Sequence, residues 1–250
     1  MTSSPAATPS NLPVALVTGG SRGIGRAIVE ALLERDHKVF FCGRSPDILT
    51  ATERELTERF PGRVAARLCD VRDEKQVSAL VAWVEEKGGR LDVLVNNAGL
   101  GGFAPVDELE PELFREIIET NLNGAFYAMH AAAPVMKRQG AGFIFNIASL
   151  AAKNPFAGGA AYNASKFGLV GMSEAAMLDL RHHGIRVAAI CPGSVETDFG
   201  SGRMRGGGDW RLAPEDVARC VVDLLAFPAR ALPSLVELRP TRPPQKSMGI

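Results

Sequence analysis

Short apolar, β-branched runs alternate with longer amphipathic segments along nearly the whole chain, and this alternation constrains the fold more than any other feature. The runs lie at 14–17, 39–42, 64–69, 93–95, 143–147, 187–191 and 235–238. Their apolar residues run on continuously, as in strands covered on both faces. Helical periodicity occupies 23–35, 47–59, 74–87, 111–138, 160–183 and 214–226. Pro111 and Pro214 suit the first helical turn, and Glu215 and Asp216 suit the positive end of a helix dipole. Strands joined through helices run parallel with right-handed crossovers. The pattern therefore predicts an α/β fold, one doubly wound parallel sheet of about seven strands with helices on both faces.

No internal repeat or linker divides the chain. The expected organisation is a flexible tail at 1–11, a single domain at 12–240 and a proline-rich tail at 241–250. The glycine-rich stretch within 198–212 predicts a lid loop. Lys+Arg and Asp+Glu both number 28, so the formal net charge is zero, which disfavours a nucleic-acid or anionic-membrane binder. Cys42, Cys69, Cys191 and Cys220 are widely separated and form no CxxC pair, so neither a metal site nor a disulfide framework is expected. Residues 1–11 lack a basic start and an apolar stretch, and no run reaches transmembrane length. A cytoplasmic protein is the expectation.

After the first strand comes Thr18-Gly19-Gly20-Ser21-Arg22-Gly23-Ile24-Gly25, opening into a helix. Glycines at Gly19, Gly23 and Gly25 permit a tight turn and let the backbone approach a pyrophosphate, whose charge the unpaired N–H groups of the helix start stabilise. An ordinary glycine turn is the plainer reading, and the G-x-G-x-x-G spacing is not matched because Ser21 takes its second glycine. After the second strand, where a carboxylate would accept from ribose hydroxyls, stand Gly43-Arg44-Ser45. Arg44, with Arg22 in the glycine loop, suits a 2′-phosphate, so the chain is expected to take NADP(H). Solvated surface arginines are the competing reading.

Tyr162 and Lys166 stand at i and i+4 in a helical pattern, with Ser149 thirteen residues before the tyrosine. A cation beside a phenol lowers its pKa toward working pH, as a general acid/base for a carbonyl or alcohol requires.

These residues together resemble the short-chain dehydrogenase/reductases over roughly 12–240. The matching elements are 18–25, Asp70-Val71, Asn96-Asn97-Ala98-Gly99, Asn121, Ser149, Tyr162 with Lys166, and Pro192-Gly193 followed by Thr197. The resemblance implies a Rossmann-type sheet and hydride transfer between a nicotinamide and a carbonyl or secondary alcohol. Tyr162 would pass the proton, and Lys166 would lower its pKa and hold the nicotinamide ribose. Ser149 would hydrogen-bond the substrate oxygen. Asn121 would hold a water linking Lys166 to solvent, although a satisfied core amide is an equal alternative. Ser21, Arg22, Ile24, Arg44, Ser45, Asp70, Val71, Asn97, Ala98, Gly99, Pro192, Gly193, Val195 and Thr197 would join the three loop glycines in binding the cofactor. Asp36 stands where the family often has glycine, and aspartate tolerates the left-handed conformation.

Substrate-facing segments are expected at 100–103, 150–156 and 198–212. Arg203, Arg205, Trp210 and Arg211 in the last raise an anionic or aromatic substrate against the plainer reading of solvated loop charges. A 3-oxoacyl-[acyl-carrier-protein] reductase is the alternative function, with Lys137, Arg138 and Arg181 read as a basic rim for an acidic carrier. Against it, Leu238-Arg239-Pro240 replaces that subgroup's ending. A non-catalytic cofactor-sensing regulator ranks lower, because the catalytic set is intact. Small residues Ala164, Gly168, Gly171 and Ala175 predict close helix packing in a homodimer or homotetramer.

Overall fold

The computed structural model describes residues 12–197 and 210–243. Seven parallel strands form one sheet: β1 (Val14–Val17), β2 (Lys38–Gly43), β3 (Val64–Leu68), β4 (Val93–Asn96), β5 (Gly142–Ile147), β6 (Ile185–Pro192) and β7 (Leu235–Leu238). Their order is β3-β2-β1-β4-β5-β6-β7. The chain therefore winds outward twice from β1, and the order reverses between β1 and β4. A crevice opens at such a reversal, outside the carboxyl ends of the strands.

Helices α1 (Gly23–Glu34), α2 (Pro46–Arg59), α3 (Glu74–Gly88), α4 (Pro111–Ile118), α5 (Gly124–Gln139), α6 (Ala160–Leu180) and α7 (Pro214–Leu225) cover both faces. One apolar layer joins Ile28, Leu32, Val217 and Val221 to Val17, Val95 and Phe145 on the sheet. The opposite layer joins Leu80, Val84, Ala132 and Met136 to Leu16, Leu94 and Ile144. Alternate residues of one strand thus enter different layers, which is why these strands read as continuously apolar.

The single helix expected over 111–138 is interrupted. A π-helical turn at Glu119–Asn123 separates α4 from α5, with the Gly124 N–H reaching back to the Glu119 carbonyl. One extra residue in the turn shifts the helix face, a change that hydrophobic periodicity does not report. Asp36 ends α1 with φ of 56°, the left-handed conformation anticipated for it. Arg63 pairs with its carboxylate at 2.8 Å and donates to the Leu33 carbonyl at 2.7 Å, tying the end of α1 to the start of β3. Residues 1–11, 198–209 and 244–250, which include the expected N-terminal tail, most of the C-terminal tail, most of the lid, Arg203 and Arg205, lie outside the described residues.

Candidate active site

The β1–α1 turn is built for close approach. Gly19 and Gly23 have φ of 65° and 54°. A Cβ on Gly25 would sit 2.2 Å from the Gly19 carbonyl oxygen and 2.4 Å from Asn97 Nδ2, so the helix start packs directly on the turn. No side chain caps α1 and no acid lies in its first turn. Its first N–H groups have no intrahelical acceptor and its dipole is uncompensated, the electrostatics of an anion cradle. Ile24 packs into the core below, and Thr197 stands across the turn, its Cγ2 3.4 Å from where Gly23 would carry a Cβ.

β4 locks against this turn. Thr18 Oγ1 accepts from the Asn97 and Ala98 N–H groups at 3.0 and 3.1 Å. Asn97 Nδ2 donates to the carbonyls of Thr18 and Gly19 at 3.0 and 3.2 Å. Asn97 and Ala98 therefore shape the turn from within, while Gly99 is exposed beside it.

Ser21 is buried, with its Oγ 3.0 Å from the Cβ position of Gly43, so Arg44 and Ser45 emerge next to Arg22. All three are exposed. Arg44 approaches Glu116 at 3.6 Å. Asp70 is gripped by Arg72 through contacts of 3.0 and 2.6 Å, which holds its carboxyl below the usual range. Arg72 also reaches Glu116 at 2.8 Å. It is a cation at this end of the crevice that the sequence reading passed over, and its signal is the D-x-R spacing after β3. Val71 packs under Gly124, where a Cβ would meet it at 2.9 Å. Pro192 is buried at the end of β6. Gly193 donates to the Leu238 carbonyl at 2.8 Å, and Val195 forms a parallel bridge with Leu212.

At the other end of the crevice Ser149, Tyr162 and Lys166 converge. Ser149 follows β5 and hydrogen-bonds the Tyr162 phenol. Lys166 Nζ lies 5.7 Å from the Tyr162 ring centroid and donates to the Ile147 carbonyl at 2.9 Å. Burial pushes the phenol above its ordinary pKa, and the Ser149 bond opposes that rise. Burial also lowers the Lys166 ammonium to about 8. The expected depression of the phenol by Lys166 is thus reversed, because desolvation penalises both charges in this dry corner.

Asn121, on the π turn, is a satisfied buried amide. Its Oδ1 accepts from the Leu100 N–H at 2.7 Å, while Nδ2 donates to the Leu100 carbonyl and to Ser165 Oγ, each at 3.0 Å. It binds the loop after β4 and the helix carrying Tyr162 and Lys166. Asn163 was not anticipated. It donates to the Ala151 carbonyl at 2.7 Å and holds the loop after Ser149. Behind the cluster Asn146 accepts from Asn96 and donates to Ser173, each at 2.8 Å, linking β4, β5 and α6.

One further expectation changes. Lys137 and Arg138 lie in the last turn of α5, and Arg181 follows α6. Helices in a parallel sheet return antiparallel to the strands, so these ends lie at the opposite edge from Ser149. Nineteen residues separate Tyr162 from Arg181, roughly 28 Å along the helix, so within one chain these three cations do not border Ser149. Arg138 instead pairs with Glu85 at 2.6 Å. Gly168 packs against Leu122 of its own chain, whereas Ala164, Gly171 and Ala175 are exposed. Cys42, Cys69 and Cys191 are buried free thiols, and Cys42 hydrogen-bonds Cys69 across β2 and the end of β3. Among the described residues no cluster of metal-ligating side chains forms and no helix is long and apolar enough to cross a membrane.

A doubly wound parallel sheet with a bare helix N-terminus at one end of its crevice and a Ser-Tyr-Lys cluster at the other defines a Rossmann-type oxidoreductase. The chain belongs to the short-chain dehydrogenase family, whose profile, described as short chain dehydrogenase, matches residues 13–205. A Streptomyces coelicolor protein named as a ketoacyl reductase is 41% identical over 81% of this chain and 78% of its own. Among solved structures, an alcohol dehydrogenase from Thermococcus sibiricus complexed with 5-hydroxy-NADP superposes with a TM-score of 0.86 at 30% identity, covering 94% of this chain and 100% of that one. A variant of the actinorhodin polyketide ketoreductase with NADPH gives 0.85 at 34% identity, covering 94% and 98%.

Proposed function

We propose that this oxidoreductase uses NADP(H) to interconvert a ketone and a secondary alcohol, with Tyr162 as the general acid/base. The observation that carries the assignment is the Ser149–Tyr162 hydrogen bond above the buried Lys166, at the same crevice as the uncapped start of α1.

The residues fit the cofactor. Gly19, Ser21, Gly23, Ile24 and Gly25 would cradle the pyrophosphate, and Arg22, Arg44 and Ser45 would meet the 2′-phosphate. Asp70 and Val71 would border the adenine, Asn97, Ala98 and Gly99 its ribose, and Pro192, Gly193, Val195 and Thr197 the nicotinamide. The NADP and NADPH complexes of structural relatives support the phosphorylated form. When bound, the dinucleotide supplies the hydride. The protein's own work is proton transfer and orientation.

In the reductive direction Tyr162 must begin protonated, and its raised pKa keeps it so at neutral pH. Ser149 steadies the carbonyl oxygen while Tyr162 gives it the proton. Lys166, charged below about pH 8, stabilises the phenolate left behind. Asn121 positions rather than reacts, by fixing Leu100 and Ser165; a water held there would connect Lys166 to solvent.

The deciding experiment is NADPH oxidation against a panel of ketones, quinones and acyl thioesters, with Tyr162→Phe as control. Undiminished activity in that variant overturns the mechanism. A second reading, reduction of 3-oxoacyl thioesters on a carrier protein, is favoured by relatives named as ketoacyl reductases. It predicts that acyl thioesters outperform free ketones in the same panel. For assembly, Phe114 on α4, Phe126 on α5 and Phe167 and Leu178 on α6 are 39, 49, 46 and 52% exposed, which supports a homodimer or homotetramer through these helices. A cytoplasmic location completes the reading.

A further inference from the structure

Resting on the assignment of Tyr162 to carbonyl reduction, we propose that Phe103 and Phe156 form a fixed aromatic wall that selects ketones bearing a flat aromatic substituent over saturated ones. The Phe103 ring stands edge-to-face on Tyr162, with centroids 5.7 Å apart and planes at 78°. Phe156 lies 5.6 Å from Phe103 at 57° and is 42% exposed, so the row runs from the Tyr162 ring to the surface. Aromatic rings gain from tilted contacts at these separations beyond the area they bury, and one further ring on a substrate would extend the row.

Both phenylalanines sit on loops, yet each loop is tied down. Asn121 holds both backbone groups of Leu100. Gly102 lies against Leu113 and Ile117, where a Cβ would meet a Leu113 methyl at 2.9 Å, and the Ala104 N–H donates to the Gly158 carbonyl at 3.0 Å. Phe103 is therefore braced on both sides. On the second loop Asn163 binds the Ala151 carbonyl and accepts from the Phe156 N–H at 3.5 Å, and the Phe156 ring packs over Gly159, where a Cβ would approach it at 2.7 Å. Rings fixed in advance lose little freedom on binding, so they discriminate between substrates rather than adapt to them.

The test compares 1-tetralone with cyclohexanone, which differ by a fused benzene ring, using NADPH and the full chain. The wild type is expected to show kcat/KM at least 50-fold higher for 1-tetralone. Phe156→Ala is expected to cut that ratio at least tenfold by raising KM for 1-tetralone, with cyclohexanone changing less than threefold. Phe103→Leu, checked for folding by thermal melting, is expected to shrink the ratio as well. A ratio near one in the wild type, or variants that slow both ketones alike, would overturn the wall while leaving carbonyl reduction standing. Turnover of neither ketone nor of any other carbonyl compound, or undiminished activity in Tyr162→Phe, would reject the underlying assignment and the wall with it.

Discussion

The Asn121 side chain clasps the backbone of Leu100 from both sides, accepting from its N–H at 2.7 Å and donating to its carbonyl at 3.0 Å. Two unlike bonds in opposite senses hold that loop; an amide supplies both at once, whereas an ionised carboxylate only accepts. Asn121→Asp keeps the acceptor but leaves the Leu100 carbonyl without its donor. It should lower kcat/KM at least tenfold and destabilise the fold by about 1–3 kcal/mol, the cost of orphaning a buried polar group. Steady-state kinetics and denaturant unfolding check both, and an unchanged unfolding midpoint would deny the clasp its structural weight.

Lys166 exchanges stability for chemistry. Its folded pKa of about 8 lies below its ordinary 10.5. Between those values the unfolded chain binds more protons, so stability rises with pH through that window and the cost is fully present below it. The gap corresponds to roughly 3 kcal/mol, partly offset by the bond to Ile147. Lys166→Met should therefore unfold about 1–2 kcal/mol later than the wild type at pH 7, with the advantage shrinking toward pH 10, while activity collapses. Denaturant melts of both proteins across that range measure it.

The same titration should appear in catalysis. Tyr162 stays protonated through neutral pH, so the reductive rate should hold steady up to about pH 8 and then decline, by up to tenfold per unit, as the Lys166 charge is lost. A kcat profile at saturating NADPH reads this directly. A rate sustained to pH 10 would show that the ammonium is dispensable.

Arg44 carries the phosphate preference in the proposed site. Arg44→Glu places a carboxylate beside Arg22 where the 2′-phosphate would lie, and should shift the NADPH to NADH ratio of kcat/KM toward NADH by about 10–100-fold, some 1.4–2.7 kcal/mol. An unchanged ratio would move the selectivity to Arg22 or Arg72.

Asp36 holds a left-handed conformation with an exposed carboxylate, and its pair with Arg63 leaves the Asp36 side chain 83% exposed. Exposed pairs contribute little. Asp36→Gly should leave activity intact and stabilise the fold by about 0.5–1 kcal/mol through relief of backbone strain. A thermal shift in the opposite direction would show that Arg63 depends on its partner.

By itself the sequence determined the layers and the parallel sense of the strands, because periodicity and glycine placement are local properties of the chain, while the resemblance of its motifs to the family grouped 18–25, Ser149, Tyr162 and Lys166. Tertiary structure alone decided the rest. The π turn aims Asn121, a one-residue shift invisible to apolar periodicity. The rise in the Tyr162 pKa depends on how much water the folded corner excludes, and the sequence carries only the neighbouring charge. Lys137 and Arg181 proved remote because strand and helix directions are set by the crossovers. The row from Tyr162 through Phe103 to Phe156 joins three segments separated in the chain, and only their packing brings the rings together.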